Sequence, residues 1–468
     1  MTTDLLITNL RLPDGTPGTL ALRGARICRS GGFDGARRLD AGGAVLSPGL
    51  HDHHIHLAAT VAARQSLDLS GIRIDAPEFA ARITASPDVS RIIGAEGTER
   101  LTRALLDEIA PDRPLRVQAR TGGLWVLNSA ALAGLTALPD PLPDAFLRDA
   151  MGRLTGQVQR GDHWLRQAPL SGHLLQALGR ELAALGVTSL TDASETNGPA
   201  EAGLLCQAAL PQTLSLMSGQ PDWPPEAACR PRWLKLVPDQ WDLPDFDLTL
   251  QRISAARKSG LGTAIHAVTA TELAFAMALF QTAGVQPGDR IEHAVVTPPE
   301  ALPGLAALCD EGLLVVINPG FLHSRADRWL RDVAPEDQPH LLPLRRMQQA
   351  GLRLRAGSDA PYGPVDPASA IKAASDRRTA GGAVLDAAEA LSVKDARALY
   401  SALPGCCDGL QEGAVAEFIL TRPETSTSAQ GTGTVVLTVA RGEIIHSLPA
   451  GEEPAPGDEG GRARYGQD

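Results

Sequence analysis

Aromatic side chains are scarce in this 468-residue chain, with Phe, Trp and Tyr together making up 4% of it. A core must therefore be filled by Leu, Val, Ile and Ala, and a hydrophobic content of 43% supplies enough of them for a globular protein. No apolar run approaches the ~20 residues that a membrane-spanning helix needs. Positive charge is in deficit: 43 Lys and Arg stand against 54 Asp and Glu, a net charge of -11. That balance argues against a nucleic-acid backbone or an anionic membrane as the main partner. The six cysteines (Cys28, Cys206, Cys229, Cys309, Cys406, Cys407) contain no C-x-x-C pair, and in a chain of this size free thiols in a reducing compartment are expected rather than a disulfide framework. The opening Met1 to Ile7 lacks the basic start and long apolar run of a signal peptide, so a cytoplasmic location is expected. Neither a Ser-His-Asp arrangement nor a phosphate-binding glycine loop stands out.

What the chain does have is the segment Ser47-Pro48-Gly49-Leu50-His51-Asp52-His53-His54-Ile55-His56-Leu57, which packs four of the eleven histidines into six positions. On a strand, side chains alternate between faces. Asp52, His54 and His56 then share one face, and His51, His53 and Ile55 the other. Two imidazoles two residues apart on one face can hold the same divalent metal. A histidine-rich loop is the plainer alternative for this segment taken alone.

Both ends of the chain read as short strands between turns. Asp4 to Leu10, Thr19 to Leu22 and Ala25 to Cys28 lie at one end; Val415 to Thr421, Thr434 to Ala440 and Glu443 to His446 lie at the other. This pattern predicts one small sheet domain built from both termini, over residues 1–48 and 405–450, followed by a disordered tail over 451–468. Between them, over residues 49–404, strand-like runs alternate with helical patterns. The strand-like runs are Leu115 to Ala119, Val187 to Leu190, Thr213 to Met217, Trp233 to Val237, Thr263 to Ala267, Arg290 to Val295, Leu313 to Ile317 and Leu352 to Ala356. Such alternation implies a parallel sheet, and an α/β (β/α)8 barrel suits the length. With the histidine strand the count is one over eight, so one run lies outside the barrel.

Active sites of such barrels lie at the C-terminal ends of the strands. Lys235, His266, His293 and Asp359 end or follow apolar runs there. Lys235 and His266 are 31 residues apart, His266 and His293 are 27 apart, and His293 and Asp359 are 66 apart. These are one, one and two strand-helix units, so the four side chains are expected to converge at one barrel mouth together with His54 and His56. Singly, each has an ordinary reading, such as a hydrogen-bonded structural histidine or an aspartate capping a helix.

Pro48 to Leu57 resembles the P-G-x-x-D-x-H-x-H-L signature of the amidohydrolase superfamily, and specifically of amidohydrolase family 3, the YtcJ-like metal-dependent hydrolases. Ala184 to Ala193 is similar to that family's third-strand segment, Ile291-Glu292-His293-Ala294 and Gly357-Ser358-Asp359-Ala360-Pro361 to its sixth and eighth strand ends, and Gly409 to Phe418 to the entry into its terminal sheet domain. The resemblance implies a distorted (β/α)8 TIM barrel with a small β-sandwich domain, and one or two divalent ions, commonly Zn2+. It places His54, His56 and Asp359 on the more buried ion and His266 and His293 on the second, with Lys235 where related members carry a carboxylated, bridging lysine. It further implies hydrolysis of an amide-like C–N bond of a small molecule, with Asp359 as general base and acid. Arg120, at the end of the second strand as counted here, and His323 are candidates for substrate contacts.

Three segments depart from the family pattern: His266-Ala267-Val268-Thr269-Ala270-Thr271 after the fifth strand, Thr121 to Ser129, and Arg160 where relatives carry Glu. All three are expected to line the pocket and so to alter the substrate. Two alternatives stay open at this point. One is hydrolytic deamination of an imine-bearing ring, which a Glu soon after His266 would favour and Thr269 at the expected offset does not. The other is an inactive ligand-binding relative. A homo-oligomer is compatible with the sequence.

Overall fold

All six residues of Leu50–Ile55 are buried, the histidines included, as befits a parallel strand covered on both faces. The computed structural model describes residues 4–28, 34–119, 122–135, 138–139, 141–161, 164–165, 171–223, 229–401, 410–422 and 433–448. In it Leu50–Ile55 begins an eight-stranded parallel sheet. The order continues through Val187–Asp192, Thr213–Ser218, Trp233–Leu236, Gly262–Ala267, Arg290–His293, Leu314–Ile317 and Leu354–Ala356. The end of the eighth strand returns to the first: Asp359 N donates to His54 O at 2.6 Å, and His56 N to Ala360 O at 2.9 Å. These bonds join the two edges of a nearly closed barrel.

Helices return the chain from most strand ends: Pro199–Gln207, Phe246–Lys258, Ala270–Ala283, Leu302–Glu311, Leu344–Gln349 and Pro367–Asp376. Their starts are written locally. Asp245 caps Phe246–Lys258 through Leu248 N, and Thr269 with Glu272 forms a capping box on Ala270–Ala283. Between the third and fourth strands no helix occurs among the described residues. There Cys229 is joined in a disulfide to Cys206 at the end of Pro199–Gln207, with the Cα atoms 6.3 Å apart. This corrects the expectation of free thiols: a separation of 23 residues is no signal by itself, but packing the crossover against the helix brings the two Cα atoms within bridging reach. Cys309 is a buried thiol. Cys406 and Cys407 lie outside the described residues.

The run Leu115 to Ala119 is the one that falls outside the barrel. Arg116–Gln118 belongs to a separate six-stranded mixed sheet, within a compact unit spanning residues 57–170. The barrel expected over 49–404 is therefore interrupted after its first strand, and Val187–Asp192 is the second barrel strand, not the third. The inserted unit has its own apolar core, including Phe79, Ile83, Ile92, Leu101, Leu106, Val117 and Val126. Trp125 and Trp233 are both buried.

The two termini build one continuous sheet in which Val45–Pro48 pairs antiparallel with Phe418–Arg422. Leu5, Ile7, Leu10, Leu22 and Ile27 share its core with Phe418, Leu420, Leu437 and Val439. Residues 451–468 lie outside the described residues. No helix among the described residues is long and apolar enough to cross a membrane.

Candidate metal centre

The barrel brings six sequence-selected side chains to its strand ends: His54 and His56 on or just past the first strand, Lys235 on the fourth, His266 on the fifth, His293 on the sixth and Asp359 after the eighth. His54, His56 and Asp359 each present a ligand atom, and these atoms lie within 4.8 Å of one another. Asp359 Oδ1 is 3.1 Å from His56 Nε2 and 3.5 Å from His54 Nε2, and Asp359 Oδ2 is 4.0 Å from His293 Nδ1. The rings of His54 and His293 are 4.7 Å apart by centroid, and those of His266 and His293 are 4.5 Å apart. Alternation along the first strand holds as expected: His54 meets His56 edge to face, whereas His51 and His53 stack on each other at 3.8 Å.

Backbone strain is concentrated in the same place. His293 (φ 74°), Ala294 (φ 44°) and Asp359 (φ 52°) all occupy the left-handed region. Each such non-glycine residue costs on the order of 1–3 kcal/mol and persists only where its surroundings enforce it. Asp52 helps to do so, since its Oδ1 accepts from Ser358 N at 2.9 Å and from His54 N at 3.1 Å.

Three rings have their Nδ1 within hydrogen-bond distance of a polar group on or just past another strand. His54 Nδ1 lies 2.5 Å from Glu292 Oε2, His56 Nδ1 lies 3.0 Å from Ser194 Oγ, and His293 Nδ1 lies 2.7 Å from Asn318 Oδ1. The amide of Asn318 is oriented by its Nδ2, which donates to Gly357 O at 3.0 Å. Its Oδ1 must therefore accept, and His293 carries its proton on Nδ1 with Nε2 as the lone-pair nitrogen. Glu292, Ser194 and Asn318 were not selected from the sequence. Only the position of Glu292, next to His293, offered any signal.

Electrostatics favour neutral rings beside ionised carboxylates. Burial, aided by Lys235, lowers the pKa of His54 to about 4. Burial and the neighbouring His54 lower that of His293 to about 3. Burial also opposes ionisation of Asp359, but His54, His56 and His293 outweigh it and hold the carboxyl below its usual range. Lys235 is 3% exposed, and its Nζ has no hydrogen-bond partner among the described residues. Burial depresses its pKa, against the pull of Glu292. The neutral imidazoles of His54 and His293, a carboxylate and an unpartnered buried amine are a donor set that fits a divalent cation.

Two selected residues are not brought to this cluster by any described contact. Arg120 lies outside the described residues, and the strand that precedes it in the chain, Arg116–Gln118, is not a barrel strand. His323 is exposed on Phe321–Ser324, with its Nδ1 3.3 Å from Arg378 O. Tyr362, by contrast, meets His56 edge to face at 5.8 Å and went unselected, since one aromatic in a loop carries no periodic signal.

A nearly closed parallel barrel bearing His54 and His56 at its first strand, Lys235, His266 and His293 on its fourth to sixth and Asp359 after its eighth defines the class: a (β/α)8 hydrolase of the amidohydrolase type. The model of the Amidohydrolase family matches residues 37–446, and the chain belongs to that family. It is accordingly an enzyme acting on carbon–nitrogen bonds other than peptide bonds. The chain is 25% identical over 474 residues to N-substituted formamide deformylase of Arthrobacter pascens, covering 85% of this chain and 86% of that one. Among solved structures, a metal-dependent hydrolase from Pyrococcus horikoshii superposes with a TM-score of 0.70 at 19% identity, over 92% of this chain and 100% of that one. N-isopropylammelide isopropylaminohydrolase from Burkholderia multivorans does so with a TM-score of 0.56 at 16% identity, over 95% and 98% of the two chains. At these identities the structures speak for the fold.

Proposed function

We propose that the protein is a metal-dependent hydrolase that cleaves an amide-like C–N bond of a small molecule. The observation that carries this reading is the convergence of His54, His56 and Asp359 beside His293, with each of the three rings hydrogen-bonded at Nδ1. His54, His56 and Asp359 would hold one divalent ion, with Zn2+ the expected metal. His266, His293 and Lys235 would hold a second, with Lys235 as a carboxylated bridge. A bound divalent ion supplies Lewis acidity and lowers the pKa of water towards 7.

Asp359 does the proton work. Its carboxylate is ionised, and its Oδ1 faces His56 Nε2 at 3.1 Å. It can accept the proton of the attacking water and return it to the nitrogen that leaves. Tyr362, packed on His56, would border the bound substrate. The deaminase alternative has no support at the position that matters. Glu272, the carboxylate nearest in sequence after His266, accepts from Val268 N, Thr269 N and Gln240 N and is used up as a helix cap.

Elemental analysis of metal per chain tests the reading, with Lys235→Ala beside wild type and a panel of N-substituted formamides as first substrates, following the Arthrobacter relative. About two ions falling to one in the variant, with formamide hydrolysis, is the expected result. A chain that takes up neither zinc nor manganese overturns it.

A further inference from the structure

Glu292 and Arg290 form a chord across the inside of the barrel. They lie on the sixth strand, and both are 0% exposed. His53 and His54 lie on the first strand, which is not a neighbour of the sixth in the sheet order. Arg290 Nε donates to Glu292 Oε1 at 2.7 Å, and Arg290 Nη2 donates both to Glu292 Oε2 at 3.1 Å and to His53 O at 2.6 Å. Glu292 Oε2 also meets His54 Nδ1 at 2.5 Å. The Arg290 guanidinium is packed over the Trp233 ring, 5.0 Å from its centroid, which limits its freedom to swing away. One arginine thus fixes both the carboxylate that holds the His54 ring and the backbone from which the neighbouring side chain departs.

An ionised carboxylate only accepts hydrogen bonds. With both Glu292 oxygens taking N–H groups from Arg290, the proton shared with His54 belongs on the imidazole. We propose that Arg290 and Glu292 are positioning residues that lock His54 as its Nδ1–H tautomer, presenting the Nε2 lone pair to the metal side and setting the affinity of the site. The inference rests on the metal-centre reading above for its consequence, but not for the tautomer. Partners of this kind to a ligand histidine are worth on the order of 10–100-fold in metal affinity, whereas an ion pair that only braced the barrel would affect stability alone.

Two measurements separate these roles. The first is long-range 1H–15N NMR of the histidine rings in metal-free wild-type protein, with the His54 signals assigned by their loss in His54→Asn. A proton on Nδ1 is the expected result, and a proton on Nε2 overturns the proposal. The second is chelator competition for zinc, comparing wild type with Glu292→Gln and Arg290→Lys. A 10–100-fold loss of zinc affinity in Glu292→Gln, with a smaller loss in Arg290→Lys, supports the proposal. A folded Glu292→Gln protein with wild-type affinity overturns it. Should Glu292→Gln fail to fold, the wild-type tautomer decides. Wild-type protein that binds no zinc would sink the metal-centre reading, and the NMR result would still decide the tautomer.

Discussion

Gly357 passes so close to His54 that a methyl group has no room between them: a Cβ built on Gly357 lies 2.5 Å from His54 Cβ and 2.8 Å from its Cα. This is the seam of the barrel, where the end of the eighth strand meets the first and where Asp359 and His54 are joined by backbone hydrogen bonding. Gly357→Ala is therefore expected to push the eighth strand off the first. Overpacking of this kind costs about 1–3 kcal/mol, and because the displaced strand carries Asp359, bound metal should fall together with the unfolding midpoint. Thermal denaturation with elemental analysis checks both. Unchanged metal content would show that the seam is slack.

Asp359→Asn keeps the size of the side chain and removes its basicity. A proton-transfer group of this kind contributes roughly 10²–10⁴-fold, and a loss of that size in kcat is expected on whichever formamide proves to be a substrate. The fold should persist, since the backbone bond from Asp359 N to His54 O remains. Steady-state kinetics with circular dichroism checks it, and a variant with near wild-type kcat would remove Asp359 from the proton pathway.

His51 and His53 are buried and stacked. Burial, with Arg290, Arg232 and Arg355 nearby, lowers the pKa of His51 to about 3. Burial, His51 and Arg290 hold His53 well below its ordinary value. Below pH 6.5 the unfolded chain binds protons at these rings that the folded chain refuses, at His51 down to about pH 3. Stability is therefore unaffected by them above about pH 6.5 and is lost as the pH falls through that window. Asp52 works in the opposite sense, because burial raises its pKa to about 6, but it is one group against several lowered histidines. Melting temperature measured from pH 8 to 4 should fall steadily below pH 6.5, and His51→Asn should flatten that slope. An equal slope in the variant would assign the acid lability elsewhere.

The Cys206–Cys229 bridge spans 23 positions and ties the helix before the third barrel strand to the crossover that follows that strand. Loop-closure entropy for that length corresponds to about 3 kcal/mol. Cys206→Ser, or treatment with a phosphine reductant, should lower the unfolding midpoint in urea accordingly. The segment leading into the Lys235 strand is then expected to become protease-sensitive first. Identical midpoints with and without reductant would mean that the bridge contributes nothing to stability.

The residue types of the centre and the order of their strands were legible from the chain alone. His54 and His56 show as a two-residue repeat, and Lys235, His266, His293 and Asp359 recur at whole strand-helix units. Both patterns are local or periodic, and a strand or a βα unit imposes them wherever it folds. The barrel count was not legible to the same degree, because Leu115 to Ala119 has the composition of a barrel strand and only its pairing partners in the inserted unit reveal otherwise.

The tertiary structure alone decided what surrounds the ligands. Glu292 reaches His54 from 238 positions away, Ser194 reaches His56 from 138, and Asn318 turns its Oδ1 to His293 only because Gly357 O takes its Nδ2. Cys206 finds Cys229 for the same kind of reason. The sequence by itself determined which groups could bind and in what order the strands present them. Which tautomer each ring adopts, and which backbone is held at positive φ, depended on barrel closure, because hydrogen bonds across a barrel have no period along the chain.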